Sequence, residues 1–157
     1  MIFNELIFYH DPRILFFSVH QSPAYPGTGA ADEVGASKGK GYTINVPLPP
    51  YTGDDDYELI FREILVPVCD EYKPQMVIVS SGYDAHQNDP LAGMVLSSQA
   101  YKLMESLKKI EIGQICLSAA ASNYGGEDFA CVLGQEMAGY ATGPIFFVSQ
   151  AMGFRHS

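Results

Sequence analysis

The side chains able to do acid–base, nucleophilic or metal chemistry gather most densely in Ser80-Ser81-Gly82-Tyr83-Asp84-Ala85-His86, directly after the apolar run Met76-Val77-Ile78-Val79. Asp84 and His86 stand two residues apart, so an extended chain through them would put both side chains on one face, where they could grip one metal ion. Two ligands seldom hold a catalytic zinc, which takes three protein groups plus water. A histidine in a polar loop is more often a plain surface residue than a ligand. Ser80 and Ser81 lack the G-x-S-x-G spacing of a nucleophile elbow. No two carboxylates have the local spacing of a glycosidase pair. Of the other histidines, His10, His20 and His156, His20 stands at a strand end, where it reads as a hydrogen-bonded structural residue before it reads as a base. Cys69, Cys116 and Cys131 lie in apolar surroundings without C-x-x-C spacing; core packing in a reducing cytoplasm is their simplest role.

The elements that must position these residues follow from periodicity. Met76–Val79 is too short for a helix and suits a strand buried on both faces. In an open parallel sheet, ligands sit at the carboxyl ends of strands, which makes Asp84 the place to expect chemistry. An Asp there also serves as a turn or cap residue. Ile14–His20 is a second strand. Residues 21–41 form a long Gly- and Pro-containing loop, of the kind that is functional or disordered. No helix pattern follows its glycines; the strand Tyr42–Val46 does, so P-loop and dinucleotide readings fail. Asp54-Asp55-Asp56 predicts a helix N-cap. Tyr57, Ile60, Phe61, Ile64, Leu65, Val68, Cys69 and Tyr72 then predict an amphipathic helix kinked at Pro67. A second helix begins near Ser97, with Ala100, Leu103, Met104, Leu107 and Ile110 on its apolar face. Strands are predicted at Ile115–Leu117 and Ile145–Val148, with a short helix between Phe129 and Tyr140. The alternation predicts an α/β three-layer sandwich with a mainly parallel sheet.

Composition bounds the function. Hydrophobic residues make up 47% of the 157 and charged residues 17%, which fits one folded domain burying roughly two-thirds of its unfolded surface. Nine basic residues against 18 acidic ones give a net charge of −9. No basic stripe exists to neutralise phosphates, which argues against direct nucleic-acid or anionic-membrane binding. No apolar run approaches bilayer length. The first ten residues lack a positive n-region and carry Glu5, so they make a poor signal peptide. A cytoplasmic location is expected.

The runs FYHDPRILFFSVHQSPAYPGTGAADEVGASKGKGYTINVPLPP and SSGYDAHQNDPLAGMVLS resemble the histone deacetylase superfamily, which includes acetylpolyamine amidohydrolases and acetoin-utilisation-type proteins. PGTG, DEVG, GKGY, NVPL and SSGYDAH-x-x-DPL fall in the family's order and spacing over residues 8 to about 110. The resemblance implies an arginase-like α/β fold and hydrolysis of acetyl-lysine or similar acetyl amides. It also implies a zinc ion, bound by Asp, His and Asp, that polarises the carbonyl and activates water beside a histidine pair. Position by position, Asp84 matches a carboxylate zinc ligand, Leu91 a wall of the acyl-lysine tunnel, and Tyr25 the tunnel's aromatic residue. Ser18 and Val19 match oxygen donors of one monovalent-cation site; Phe8, Asp11, Ile14 and Tyr42 match a second. Potassium or sodium suits such hard donors.

Two features depart from the family. The Asp-x-His-His-Gly segment with two zinc ligands, and the histidine pair, do not occur in this sequence; Asp84-Ala85-His86 belongs by its neighbours to the later motif. Where the family reads Glu-Gly-Gly-Tyr, this chain reads SAAASNY after Leu117. Direct register puts Ala121 at the position of the oxyanion-stabilising Tyr, and Tyr124 reaches it only with a three-residue insertion. The expectation is a partial deacetylase-like domain, truncated to the C-terminal half and inactive alone, with 111–157 divergent. Alternatives are a non-catalytic module binding acylated ligands, and a half-enzyme completed by a partner chain. A half-fold would also expose apolar sheet surface and self-associate.

Overall fold

The computed structural model describes residues 7–23, 27–90, 93–105, 114–120 and 143–151. Among these residues five strands form one parallel sheet: β1 (Ile14–Gln21), β2 (Thr43–Leu48), β3 (Met76–Gly82), β4 (Gln114–Ala120) and β5 (Ile145–Ala151). Their order is β2-β1-β5-β3-β4, so the last strand in sequence is inserted between β1 and β3. Each predicted strand is present, several with ends a few residues beyond the apolar run. Backbone pairing continues into the polar residues that periodicity alone gives to loops.

Alternation along β1, β3 and β5 makes two apolar faces. On one, Leu15, Phe17, Val19, Val77, Val79, Phe146 and Val148 pack against Tyr57, Ile60, Phe61, Leu65 and Cys69. These last five belong to a helical stretch made of α1 (Asp54–Ile60), a π-type turn (Phe61–Leu65) and α2 (Val66–Tyr72). The expected Pro67 kink takes this form: Pro67 has no N–H to donate, and the wider turn that precedes it is where the regular ladder yields. The N-cap is Gly53, one residue before the predicted Asp54. The three aspartates fill the first turn instead, and Asp56 accepts the Gly53 N–H at 3.4 Å. α3 (Ser98–Glu105) adds Ala100 to the same core. The opposite face buries Ile14, Phe16, Met76, Ile78, Ile145 and Phe147 under Phe8. The predicted helix between Phe129 and Tyr140 lies outside the described residues. Among the described residues no helix is long and apolar enough to cross a membrane.

Candidate functional site

Because the strands are parallel, their carboxyl ends lie along one edge, and the loop that follows β3 there carries Asp84. β3 ends at Gly82, so the chain has already turned when it reaches Asp84, and Asp84 and His86 do not share a strand face. Instead residues 83–89 form a tight double turn: His86 N–H donates to Tyr83 O at 3.1 Å and Asp89 N–H to His86 O at 2.8 Å. A short bridge to Leu96 closes it, with Leu96 N–H donating to Ala85 O at 3.0 Å and Gln87 N–H to Leu96 O at 2.8 Å. Asp84 is half-buried within this turn. His86 accepts the Asn88 N–H on Nδ1 at 3.2 Å, and its Nε2 lies 3.4 Å from Ser98 Oγ. Both ring nitrogens face local partners, so His86 is a loop-organising residue and not the second prong of a metal grip. Among the described residues no three of His, Cys, Asp and Glu cluster as a metal site. They therefore do not by themselves fit a zinc ion. A shallow cavity of about 440 Å³ opens beside the turn, lined by Tyr83, His86, Asn88, Asp89, Ser98 and Tyr101. The Tyr83 and Tyr101 rings touch there with centroids 5.3 Å apart.

The segment after Leu91 is fixed from two directions. Gln21, at the end of β1, accepts the buried Gly93 N–H on Oε1 at 2.9 Å. Tyr51, beyond the end of β2, donates its N–H to Gly93 O at 2.7 Å, and Val95 N–H donates to Thr52 O at 3.1 Å. Asp54 accepts the Ser97 N–H at 2.8 Å and the Ser97 hydroxyl as well. The three loops at the carboxyl edge are thus cross-tied by backbone groups that would otherwise be unpaired.

The long β1–β2 loop is held through His20. This residue is fully buried, with Nδ1 3.0 Å from Ser18 Oγ and Nε2 2.9 Å from Gly29 O. Burial holds its pKa below the ordinary histidine value; the Gly29 carbonyl and the nearby Glu33 charge oppose this less strongly. Glu33 in turn accepts the Gly29 N–H at 2.7 Å, and its backbone O accepts from Asn45 Nδ2 at 3.1 Å. His20 is therefore the hydrogen-bonded structural histidine that its position suggested.

Ser18 and Val19 lie buried in β1. Phe8, Asp11 and Ile14 lie in consecutive turns leading into β1: Asp11 N–H donates to Phe8 O at 3.0 Å and Ile14 N–H to Asp11 O at 3.4 Å. Tyr42 sits beside them, its O accepting the Phe16 N–H at 2.8 Å. The Asp11 carboxylate is turned to the Arg13 guanidinium at 2.6 Å, whose hydrogen bonds hold its pKa below the usual value. Tyr25, Leu91 and Tyr124 lie outside the described residues.

Comparison with known proteins agrees with this fold. The family model for the histone deacetylase domain matches residues 4–126. A probable deacetylase of Archaeoglobus fulgidus is 50% identical over 101 residues, which is 64% of this chain and 28% of that protein. Histone deacetylase 14, chloroplastic, of Arabidopsis thaliana is 43% identical over 104 residues, covering 66% of this chain and 25% of its own length. A histone deacetylase-like amidohydrolase of Pseudomonas aeruginosa is 36% identical over 105 residues, 66% of this chain and 28% of its own. Among solved structures, the HDA15 HD domain superposes with a TM-score of 0.70 at 30% identity, covering 85% of this chain and 40% of that one. The histone deacetylase Clr3 also gives 0.70, at 32% identity, with 86% and 24% covered. The chain spans about a quarter of the length of these curated relatives. With the motifs in order, a parallel sheet that superposes on deacetylase domains and a family match over most of its length, the chain has the arginase/deacetylase α/β fold and belongs to the histone deacetylase family.

Proposed function

We propose that this polypeptide is the part of a zinc-dependent amidohydrolase that supplies one metal carboxylate, Asp84, and two walls of an acyl tunnel, Tyr25 and Leu91. The substrate class is an N-acetyl-lysine or a related acetyl amide. The observation that carries this reading is the placement of SSGYDAHQNDPLAG within the family match, with Asp84 just past the end of β3. The other zinc ligands and the histidine pair come from polypeptide outside these 157 residues, so the isolated chain is expected to turn over no substrate. Ser18 and Val19, and Phe8, Asp11, Ile14 and Tyr42, supply hydroxyl and carbonyl oxygens suited to potassium or sodium.

The test is co-expression with a segment carrying Asp-x-His-His-Gly and the histidine pair, assayed with a fluorogenic acetyl-lysine substrate and added zinc. Turnover is expected only from the mixture and is lost in Asp84→Asn. Hydrolysis by the zinc-loaded chain alone would refute the reading. A second reading is binding of an acylated ligand without turnover. Acetyl-lysine binding by the chain, with no hydrolysis by the mixture, would select it. Among the described residues both faces of β1, β3 and β5 are buried, unlike the exposed apolar sheet surface expected of a half-fold; light scattering tests self-association or pairing with a partner chain directly.

A further inference from the structure

β1, β2, β3 and β4 lie within residues 4–126, the stretch matched by the histone deacetylase model, and β5 lies beyond it. β5 is nonetheless no edge strand. It pairs in parallel with β1 on one side and with β3 on the other, and keeps these two apart. Without it, the family-matched strands would leave a slot one strand wide, with β1 and β3 about 10 Å apart and unpaired backbone groups along both walls. The slot also stands where the strand order reverses, since β1 passes the chain to β2 on one side and β3 passes it to β4 on the other. In open parallel sheets ligands bind at that reversal, beyond the carboxyl ends of the strands. There β5 ends in Ser149-Gln150-Ala151, without a carboxylate, imidazole or thiol, whereas the chain leaving β3 runs into Asp84. The strand at the position that organises the site thus comes from outside the family match and brings no ligating group to it.

We propose that β5 is a stand-in strand, and that in the assembled enzyme it gives up its slot between β1 and β3 to a strand of a second polypeptide. The incoming strand belongs to the segment that supplies the remaining zinc ligands, an identity that rests on the zinc-amidohydrolase reading. The slot accepts a parallel strand that is apolar at the positions of Ile145, Phe146, Phe147 and Val148, because these residues are at most 2% exposed and alternate between the two cores. Polar and ligating side chains enter from the position of Ser149 onward, level with Ser18 and Ser80. Backbone pairing supplies the affinity and the alternating apolar sockets the selectivity, as in strand addition to a sheet. Meanwhile β5 covers the apolar surface that a half-fold would expose, and so holds the chain closed to its partner until the strands exchange.

The experiment follows backbone hydrogen exchange of residues 145–151 in the wild-type chain, alone and in complex with a segment carrying Asp-x-His-His-Gly and the histidine pair. On complex formation the β5 amides are expected to exchange at least about 10-fold faster, while those of β1 and β3 stay protected. A second arm ties β5 in place. Ser80 and Ser149 are register partners, and neighbouring strands lie within reach of a disulfide. The oxidised Ser80→Cys/Ser149→Cys chain, its cross-link confirmed by the loss of two free thiols, should bind the segment about 10-fold more weakly than the same chain reduced with dithiothreitol. If the double variant fails to fold, exchange in the wild-type complex decides alone. Unchanged β5 protection in the complex, or equal binding by the oxidised and reduced chains, would overturn the inference, and zinc-dependent turnover by that mixture would leave the enzyme reading standing. Released β5 amides without turnover would support the inference and count against the enzyme reading. No complex with the wild-type chain would refute both.

Discussion

Gly29→Ala should be one of the most damaging single-methyl additions in the β1–β2 loop, and its cost can be worked from two contacts. Gly29 has a φ of +90°, and a Cβ built on it would lie 2.6 Å from Nε2 and 2.7 Å from Cε1 of His20. His20 cannot retreat, because it is 1% exposed and its other ring nitrogen is bonded to Ser18. The methyl must therefore push the loop outward and break the 2.9 Å bond between His20 and Gly29 O. Backbone strain costs about 1 kcal/mol, and an unsatisfied buried nitrogen about 2 kcal/mol more. Gly41→Ala is the internal control: its φ is +89°, but nothing lies within 4 Å of the added Cβ. It should cost the strain alone, about 1 kcal/mol. With an m-value of about 2 kcal/mol/M, the urea midpoint should drop by about 1.5 M for Gly29→Ala and about 0.5 M for Gly41→Ala. In a His20→Ala background the extra cost of Gly29→Ala should disappear, a coupling that a double-mutant cycle reads directly. Equal midpoints for the two glycine variants, or an additive cycle, would refute the claim that His20 is what holds this loop.

Phe147→Ala should cost about 3–5 kcal/mol in the same denaturation assay, since Phe147 is fully buried in the central strand with ring centroids 5.3 Å from Phe8 and 5.9 Å from Phe16; a loss below about 1 kcal/mol would show that this face is not close-packed. Alkaline stability should fall in two stages, because burial pushes the Cys69 thiol from 9.0 up to about 12 and the Tyr72 phenol from 10.0 up to about 12. The folded state keeps protons that the unfolded chain releases, so stability is unaffected below pH 9 and declines as pH rises from 9 towards 12; Cys69→Ala should delay the onset to about pH 10, and an unchanged onset would count against it. For the same reason Cys69 should resist a thiol reagent at pH 8 until the chain is unfolded.

What the sequence revealed and what it hid separate along physical lines. The helical stretch from Asp54 to Tyr72 was legible because its apolar residues recur with one period. β1 and β3 were legible because strands buried on both faces are apolar almost throughout. Sheet order was not: Ile145-Phe146-Phe147-Val148 reads the same at an edge or in the centre, and its place between β1 and β3 depends on pairing with residues some 70 to 130 positions away. Asp84 was singled out by its place after an apolar run and by its motif. The hydrogen-bond partners of His86, Asn88 and Ser98, depended on how the loop turns, which no spacing rule gives. The left-handed backbone of Tyr51, with a φ of +69°, escaped notice because a Pro-Pro-Tyr-Thr-Gly connector says nothing about the sign of φ. Gln21 carried no signal either, since a lone amide at a strand end acquires meaning only when Gly93, 72 residues on, is brought to it.

The register of the sheet explains why fold and site can be perturbed separately. Asn45, Ser18, Ser149, Ser80 and Ser118 are aligned across all five strands, one polar residue from each. One step towards the amino ends, the aligned residues are Ile44, Phe17, Val148, Val79 and Leu117, all apolar. Beyond the polar row, towards the carboxyl ends, β3, β4 and β5 carry only Ser, Gly, Ala and Gln, β1 carries Val19 and then His20-Gln21, and β2 ends in Val46-Pro47-Leu48. Ser18 and Ser80 are nonetheless buried, so these hydroxyls belong to a region that must be satisfied by hydrogen bonds and not by contact area. In β1 and β3 most of the apolar burial therefore lies on the amino side of the row, Val19 excepted, while on the carboxyl side His20 fixes Gly29 and Gln21 fixes Gly93. Substitutions such as Phe147→Ala should then unfold the chain without a local change at the carboxyl edge. Changes at Asp84 should alter what the edge binds while the sheet stays intact, because no apolar row depends on it.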